Sequence, residues 1–490
     1  MQIPYLSLLI FTPVVAGVLL LRYPAQKRTL IRVTALISAL ITLALSVILF
    51  FRYDTQAAGY QFLEKLDWLP SLGISYFVGI DGISAAMELM AGLVVISGVL
   101  VSWRVEDRPR EFFAFLMFLA ASVFGVFASL DLFQLFFFFE LAIFPKYLMI
   151  VIWGYPKTRE YGAMKLTIYL FLGSMAALAG ALAIYSASGL HTFNLLELEK
   201  AGFPIEVQRL WFPFIFIGFG VLGGLFPFHS WAPDGHVAAP TAVSMLLAGV
   251  EMKVGAFAAL RVGLMLLPEG MRAWAPLIIV LATINVVYGA FIAMIQTDFK
   301  YVIGFSSVSH MGLVFIGFAT LTPEGLTGAG LQMFSHGVMT ALFFSIVGMV
   351  YDRAHTRNIQ ELGGMAKYMP MAMVGFVVGG LVSMGMPGFS GFVAEIPIYL
   401  GAWKSYPLSA ILAVISIVVT AAYILLVVRR VFFGEVPRAI SEGVSDITLA
   451  DKVVIVMLSL VMILIGIFPS LLVPVIQAGV KHIMFLVGGA

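Results

Sequence analysis

Acids, lysines and histidines stand inside apolar runs of this sequence where solvent-exposed charges would not be placed. Glu140 follows four consecutive phenylalanines, Lys146 comes six residues later, and Lys165 opens the next apolar run. Glu251 and Lys253 sit in the middle of a run that begins near Thr241; His310 and His336 occupy the next two but one, and Glu395 lies further on. A charge at the centre of a bilayer costs about 3 kcal/mol or more, so such residues read as functional by default. The chemistry they suit is proton relay, since each holds or releases a proton when burial and neighbours change its affinity.

Simpler readings stand beside these. Glu140 also reads as one member of a buried structural ion pair. Lys165 lies close to a loop, and both it and Lys146 have a snorkelling reading in which the amine reaches the interface. Glu251 and Lys253 are two residues apart and point to different helix faces, which sends Lys253 to the bundle interior rather than to its neighbour. His310 and His336 taken alone also fit hydrogen-bonded core histidines. For His229, which stands with Trp231, Asp234 and His236 beside a Gly/Pro-rich break, capping of broken helix ends is a sufficient explanation. The 25 methionines show no metal spacing and read as packing filler.

The elements that must hold these side chains are membrane spans. The 490 residues are 61% hydrophobic and 11% charged, with a mean hydropathy of +1.04, far from the range of soluble domains. Apolar runs of roughly 20 residues recur along the whole length, enough to cross a hydrocarbon core as helices; the strand alternation of a membrane barrel is missing. The expected fold is therefore an all-α polytopic membrane protein with about 14 transmembrane helices, forming one membrane-embedded domain over residues 1–490. The spans are expected to start near Ile3, Leu30, Ile83, Phe112, Leu132, Ala163, Trp211, Thr241, Ala275, Tyr301, Gly325, Met371, Leu408 and Val453. The run from Ile3 to Leu21 reads as a retained helix, because no basic region precedes it and no small-residue cleavage site follows.

Odd-numbered loops are the basic ones, with Arg22, Lys27, Arg28 and Arg32 in the first, Arg104, Arg108 and Arg110 in the third, and Arg353, Arg357 and Lys367 in the eleventh. The positive-inside rule puts these in the cytoplasm and both termini outside. Two longer connections, His191 to Arg209 and Val431 to Lys452, read as amphipathic segments along the interface. Spans seven and twelve are interrupted, by Gly223-Gly224, Pro227, Pro233 and Pro240 in one and by Met386-Pro387-Gly388 in the other. Paired interruptions are what an inverted-repeat transporter would show. With no cysteine at all, the chain excludes thiolate-bound iron–sulfur clusters, Cys zinc sites and internal disulfides. A net charge of +2 gives no nucleic-acid footprint, and no nucleotide loop, metal set or nucleophile constellation is visible. No cofactor is expected in this chain, and any redox step is expected on a partner.

Several motifs carry a family resemblance. The stretch Pro227-Phe-His-Ser-Trp-Ala-Pro-Asp-Gly-His-Val-Ala-Ala-Pro-Thr-Ala242, running on to Lys253-Val-Gly255, resembles the signature of the antiporter-like subunits shared by complex I and Mrp-type cation/proton antiporters. Gly79-Ile-Asp-Gly-Ile-Ser84, the Glu140 helix ending in Ile152-Trp-Gly154, Thr297-Asp-Phe-Lys300 with Ser306-Ser-Val-Ser-His310, and Met386-Pro-Gly-Phe-Ser-Gly-Phe-Val-Ala-Glu395 are similar to the M-type (ND-four-like) membrane subunit of respiratory NADH:quinone oxidoreductase. The resemblance implies two inverted five-helix repeats, approximately 112–266 and 275–429, with helices seven and twelve broken. It implies a proton relay of Glu140, Lys253, Glu395, His310 and His336; the reading of the residues themselves adds Lys146, Lys165, Glu251 and His229 as further candidates. It also implies partners: other membrane subunits of complex I, further antiporter-like subunits among them, in a bacterial inner (plasma) membrane.

One departure stands out. The family's lysine in helix seven falls seven residues before the motif histidine, and that position is Leu222; Lys146 and Glu251 stand where the family has apolar residues. Either the charge has been relocated, or the N-terminal half-channel no longer conducts. Four functions follow: a proton-translocating subunit of a complex I-type NADH:quinone oxidoreductase, which the motif detail favours; a subunit of an Mrp-type cation/proton antiporter; a subunit of a hydrogenase-linked complex; or a largely structural membrane subunit.

Overall fold

The computed structural model describes residues 3–57, 59–437 and 445–488. Its helices are α1 (Tyr5–Arg22), α2 (Arg28–Arg52), α3 (Gly82–Val101), α4 (Pro109–Ala128), α5 (Leu132–Trp153), α6 (Arg159–Ser188), α7 (Ile205–Leu222), α8 (Trp231–Ala238), α9 (Thr241–Leu264), α10 (Pro268–Ile295), α11 (Phe299–Ala319), α12 (Pro323–Ala354), α13 (Pro370–Ser383), α14 (Ser390–Ser405), α15 (Pro407–Phe432), α16 (Leu449–Ile467) and α17 (Val473–Leu486). Among the described residues thirteen of these are long and apolar enough to cross a membrane, and α13 with α14 completes a fourteenth span. Span seven is α7 followed by α8, and span twelve is α13 followed by α14.

A chain in hydrocarbon must satisfy its backbone groups internally, which leaves the helix ends as the places where sequence matters most. Asp81, Asp131, Asp298 and Thr322 cap α3, α5, α11 and α12 by accepting backbone N–H bonds of 2.8–3.1 Å. Proline occupies the first turn of α4, α10, α12, α13 and α15, where its missing N–H costs nothing.

The loops gather on two faces. Loops two, four and six are tied by Leu130 N–H to Phe77 O (2.9 Å), Phe193 N–H to Gly73 O (3.1 Å) and an Asp131–Asn194 bridge. Loops five, seven, nine and eleven are tied on the opposite face by Tyr155 N–H to Ala238 O (2.8 Å), Arg357 to Val237 O (2.8 Å) and an Asp298–Asn358 bridge. The second, basic face is the odd-loop face; the first is the even-loop face. The apolar middles of α9 and α12 are wholly buried and those of α3 and α11 nearly so, whereas α1, α2, α6, α15 and α16 leave most of their surface on the outside of the bundle.

Both interruptions fall where the Gly/Pro clusters predict. In the second, Gly385 has φ +61°, and a Cβ there would come within 2.6 Å of the Glu395 carboxylate, so only glycine fits beside it. Three features differ from expectation. The second loop is a β-hairpin, β1 (Gln61–Leu69) paired antiparallel with β2 (Ile74–Ile80), which makes the fold nearly rather than entirely helical. The run beginning near Val453 is two helices, because the chain turns at Phe468-Pro469 and α17 then packs on the even-loop ends of α3 and α12. The connection from His191 to Arg209 holds a four-residue helical turn, Leu195–Leu198, docked by Asn194 on the loops beside it, and the first turn of α7. In the Val431–Lys452 connection residues 438–444 lie outside the described residues, and the described parts that flank them, 433–437 and 445–448, are not helical. Helices α7 and α10 begin six and seven residues earlier than the hydropathy pattern suggests, since Arg209 and Arg272 belong to the helices rather than preceding them.

Candidate functional site: a buried polar axis

The charged residues of the apolar runs converge on the most buried helices. On α9, segments with i to i+5 hydrogen bonding, Leu247–Glu251 and Ala259–Leu264, lie on either side of Lys253; such widened turns favour functional positions. The Lys253 amine is fully buried and donates to the carbonyl of Ala248 in its own helix. Glu251 turns the other way, as the two-residue spacing predicts, and forms a fully buried ion pair with Lys146 of α5. Its second carboxylate oxygen has no hydrogen-bond partner. Lys146 therefore meets Glu251 and not Glu140, and it does not snorkel.

The end of α7 touches the same part of α9: a Cβ on Gly255 would lie 2.8 Å from the backbone carbon of Leu222. Glu251 is one turn from Gly255 on the same helix face. Leu222 thus adjoins the surface on which the Lys146–Glu251 pair is built.

On the other side of Lys253 the polar groups continue through α12, α11 and α14. The His336 and His310 rings lie with centroids 5.3 Å apart, and neither His336 nitrogen is hydrogen-bonded. His310 is held by three partners: Nε2 lies 2.9 Å from Ser383 Oγ, and Nδ1 lies 3.2 Å from the Gln332 amide nitrogen and 3.5 Å from Glu395 Oε1. With a neutral ring, Nδ1 accepts from the Gln332 amide. A doubly protonated ring turns that nitrogen into a donor aimed at Glu395. Tyr399 OH donates to the other Glu395 oxygen at 3.1 Å.

The remaining candidates lie off this line. Glu140 is half-buried on a flank of α5 whose neighbours Phe137, Leu141 and Phe144 are exposed, and it makes no ion pair among the described residues. Lys165 is paired with Asp234 of α8 at 2.6 Å, and Asp234 also accepts from Tyr301 OH at 2.8 Å, an anchor between α6, α8 and α11. His229 lies within the first interruption, stacked on Phe226 and edge-on to Tyr288.

Three buried ionisable residues stand out that the sequence reading passed over. Lys300, in the first turn of α11, donates to Ala239 O (2.7 Å) and Ser244 Oγ (3.1 Å). Its signal was available: a lysine in a helix's first turn opposes the dipole and needs another partner. Glu88 is fully buried in mid-α3 with both oxygens unpartnered, detectable by the argument applied to Glu140. Arg261, near the even-loop end of α9, binds Asp81 (2.8 Å), Ser84 (2.9 Å) and Tyr60 (2.6 Å), joining α3, the β1 loop and α9. Burial opposes ionisation of Asp81, but Arg261 and the Ser84 hydrogen bonds outweigh it and hold the carboxyl below its ordinary value. Among the described residues no group of three or more His, Asp and Glu is arranged to hold a metal ion.

Known proteins resemble this chain in sequence and in fold. Residues 129–420 match the model of the NADH:quinone oxidoreductase/Mrp antiporter transmembrane family. A protein of Picosynechococcus sp. named NAD(P)H-quinone oxidoreductase chain 4 3 is 38% identical over 439 residues, 88% of this chain and 80% of that one. A chain in the structure titled respiratory complex I from Thermus thermophilus with bound NADH superimposes with a TM-score of 0.91 at 30% identity, covering 99% of this chain and 100% of its own. A chain of the Mrp complex from Dietzia sp. superimposes with a TM-score of 0.87 over 99% of both chains at 20% identity, a likeness of fold alone. The chain belongs to the NADH:quinone oxidoreductase/Mrp antiporter transmembrane family.

Proposed function

We propose that this chain is the proton-translocating M-type membrane subunit of a complex I-type NADH:quinone oxidoreductase. The observation that carries the reading is the buried line Lys253, His336, His310, Glu395, drawn from four different helices and furnished with unbonded or exchangeable partners. Buried acids, amines and imidazoles in sequence can pass a proton with little geometric change, because each gains or loses a partner as its charge changes. The name and title of the relatives, with the identity over nearly the whole chain, support the same host complex. Quinone reduction would occur on other subunits, and this chain would respond to it.

In this reading Glu140, half-exposed on the flank of α5 beside exposed phenylalanines, faces a neighbouring membrane subunit and senses its charge. The Lys146–Glu251 pair takes over the charge that Leu222 lacks, which the shared α9 face supports. The two repeats, approximately 112–266 and 275–429, contribute one half-channel each, with His229 lining the first break. Lys165, tied to Asp234, positions α8 rather than carrying protons. The basic odd-loop face is cytoplasmic in a bacterial inner membrane, which puts both termini on the outer side.

A second reading, a largely structural subunit whose first half no longer conducts, is favoured by one observation: Lys146 and Glu251 neutralise each other. The two readings part on Glu395→Gln in the host complex, with assembly checked and proton pumping followed against quinone reduction. A translocating subunit predicts at least a tenfold fall in pumping by assembled complex; unchanged pumping supports the structural subunit.

A further inference from the structure

On the odd-loop face, the ends of α3, α5, α9, α11 and α12 surround a cavity of about 510 Å³. Its wall includes Arg104, Asp352, His355 and Arg357, and it also includes Lys300, whose side chain is otherwise buried. The Lys300 amine sits at the C-terminal end of α8, where Ala239 O accepts at 2.7 Å and His236 O lies at 3.4 Å. A lysine there caps carbonyls and complements the helix dipole, a complete structural role. That role leaves two observations without a purpose: the cavity that Lys300 lines, and the His236 ring nearby, fully buried with neither nitrogen hydrogen-bonded. One turn along α11 from Lys300, a Cβ on Gly304 would lie 3.1 Å from Pro233 and 3.9 Å from His236 Cδ2, so α11 rests directly on α8 at this ring. Ser244 of α9, the helix that carries Lys253, donates to His236 O at 2.8 Å and accepts from the Lys300 amine at 3.1 Å, so α8, α9 and α11 meet at this point. The charged groups facing Lys300 from neighbouring elements are Arg357, Asp298 and Asp352.

We propose that Lys300 is the proton uptake group of this chain, collecting protons from the odd-loop cavity and passing them through His236 to Lys253. The inference rests on the translocating function proposed above. The Lys300 ammonium gives a proton to an imidazole nitrogen of His236, leaving a neutral amine and an imidazolium. The imidazolium passes the proton to the neutral amine of Lys253, and Lys300 is reprotonated from water in the cavity, so each transfer moves one proton and restores its donor.

Lys300→Arg separates this role from capping, because a guanidinium keeps the charge and the donors but does not release a proton. In the assembled host complex, uptake through Lys300 predicts at least a tenfold loss of pumping for Lys300→Arg, alongside the loss in Lys253→Ala. Normal pumping by Lys300→Arg with loss in Lys253→Ala overturns the uptake role and leaves translocation standing; normal pumping in both overturns the two together. Should Lys300→Arg fail to assemble, Thr241→Cys in the cavity wall provides the test in a chain that has no cysteine of its own. A bulky, membrane-impermeant thiol reagent applied from the odd-loop side should label it and stop pumping. Absence of labelling, or normal pumping by labelled complex, overturns the proposal.

Discussion

The two interrupted spans are built alike and equipped differently. Beside the first break, Lys146 and Glu251 form a closed pair, in contact, fully buried and mutually neutral. Beside the second, His310 and Glu395 stand 3.5 Å apart, each holding other partners, and the pair forms only when the ring is protonated. In a lysine–carboxylate pair in direct contact each group is already partnered, whereas a histidine gains or loses its charge, and with it the attraction to a carboxylate, with one proton. Closed charges favour a fixed or slowly switching element, open ones a conducting element.

The sharpest way to break this contrast is to open the closed pair. Glu251→Gln leaves the Lys146 ammonium buried without a counter-charge, and is expected to cost about 3–5 kcal/mol. The loss would be read as poor retention of the subunit in purified complex. Removing both charges with Lys146→Met and Glu251→Leu should restore retention, since apolar replacement of a whole buried pair is often neutral or stabilising. Pumping by that double variant then decides whether the first half conducts: reduced pumping makes the pair part of the relay, and unchanged pumping makes it structural.

The open side is broken more gently. Gly385→Ala forces a non-glycine residue to φ +61° and drives its Cβ against Glu395. The expected cost is about 1–3 kcal/mol of local strain, with pumping lowered in complex that still assembles; normal pumping would mean that the placement of Glu395 does not matter. The smallest effect belongs to a third closed pair, because Arg261 keeps its bonds to Ser84 and Tyr60 when Asp81 loses its charge. Asp81 is held below its ordinary value by Arg261, so its stabilising contribution is complete above the unfolded carboxyl value of about 4. It is lost as pH falls through the lower folded value. Asp81→Asn should flatten the acid limb of a thermal stability profile, and an unchanged limb would remove Asp81 from the account.

Much of this architecture is legible in the sequence because a membrane imposes few solutions. The spans follow from run length, the two breaks from Gly/Pro clusters, and the opposite aims of Glu251 and Lys253 from helical periodicity alone. The partner of Lys146 is not legible, because it lies 105 residues away on another helix and pairing at that range depends on tertiary packing. Helix α17 is hidden because hydropathy cannot tell one long apolar run from two helices joined at Pro469. The hairpin lies between spans, where the hydropathy pattern has no period to offer. Arg261 sits near a helix end, where a charge looks ordinary, and only its burial marks it.

Proton pumping by the host complex carrying Lys253→Ala, followed together with quinone reduction and with assembly verified, tests the central claim most directly. The account predicts assembled complex in which pumping is lost or falls at least tenfold. Assembled complex that moves the normal number of protons per quinone reduced would contradict it, and would make the buried axis a structural feature of a subunit that does not conduct.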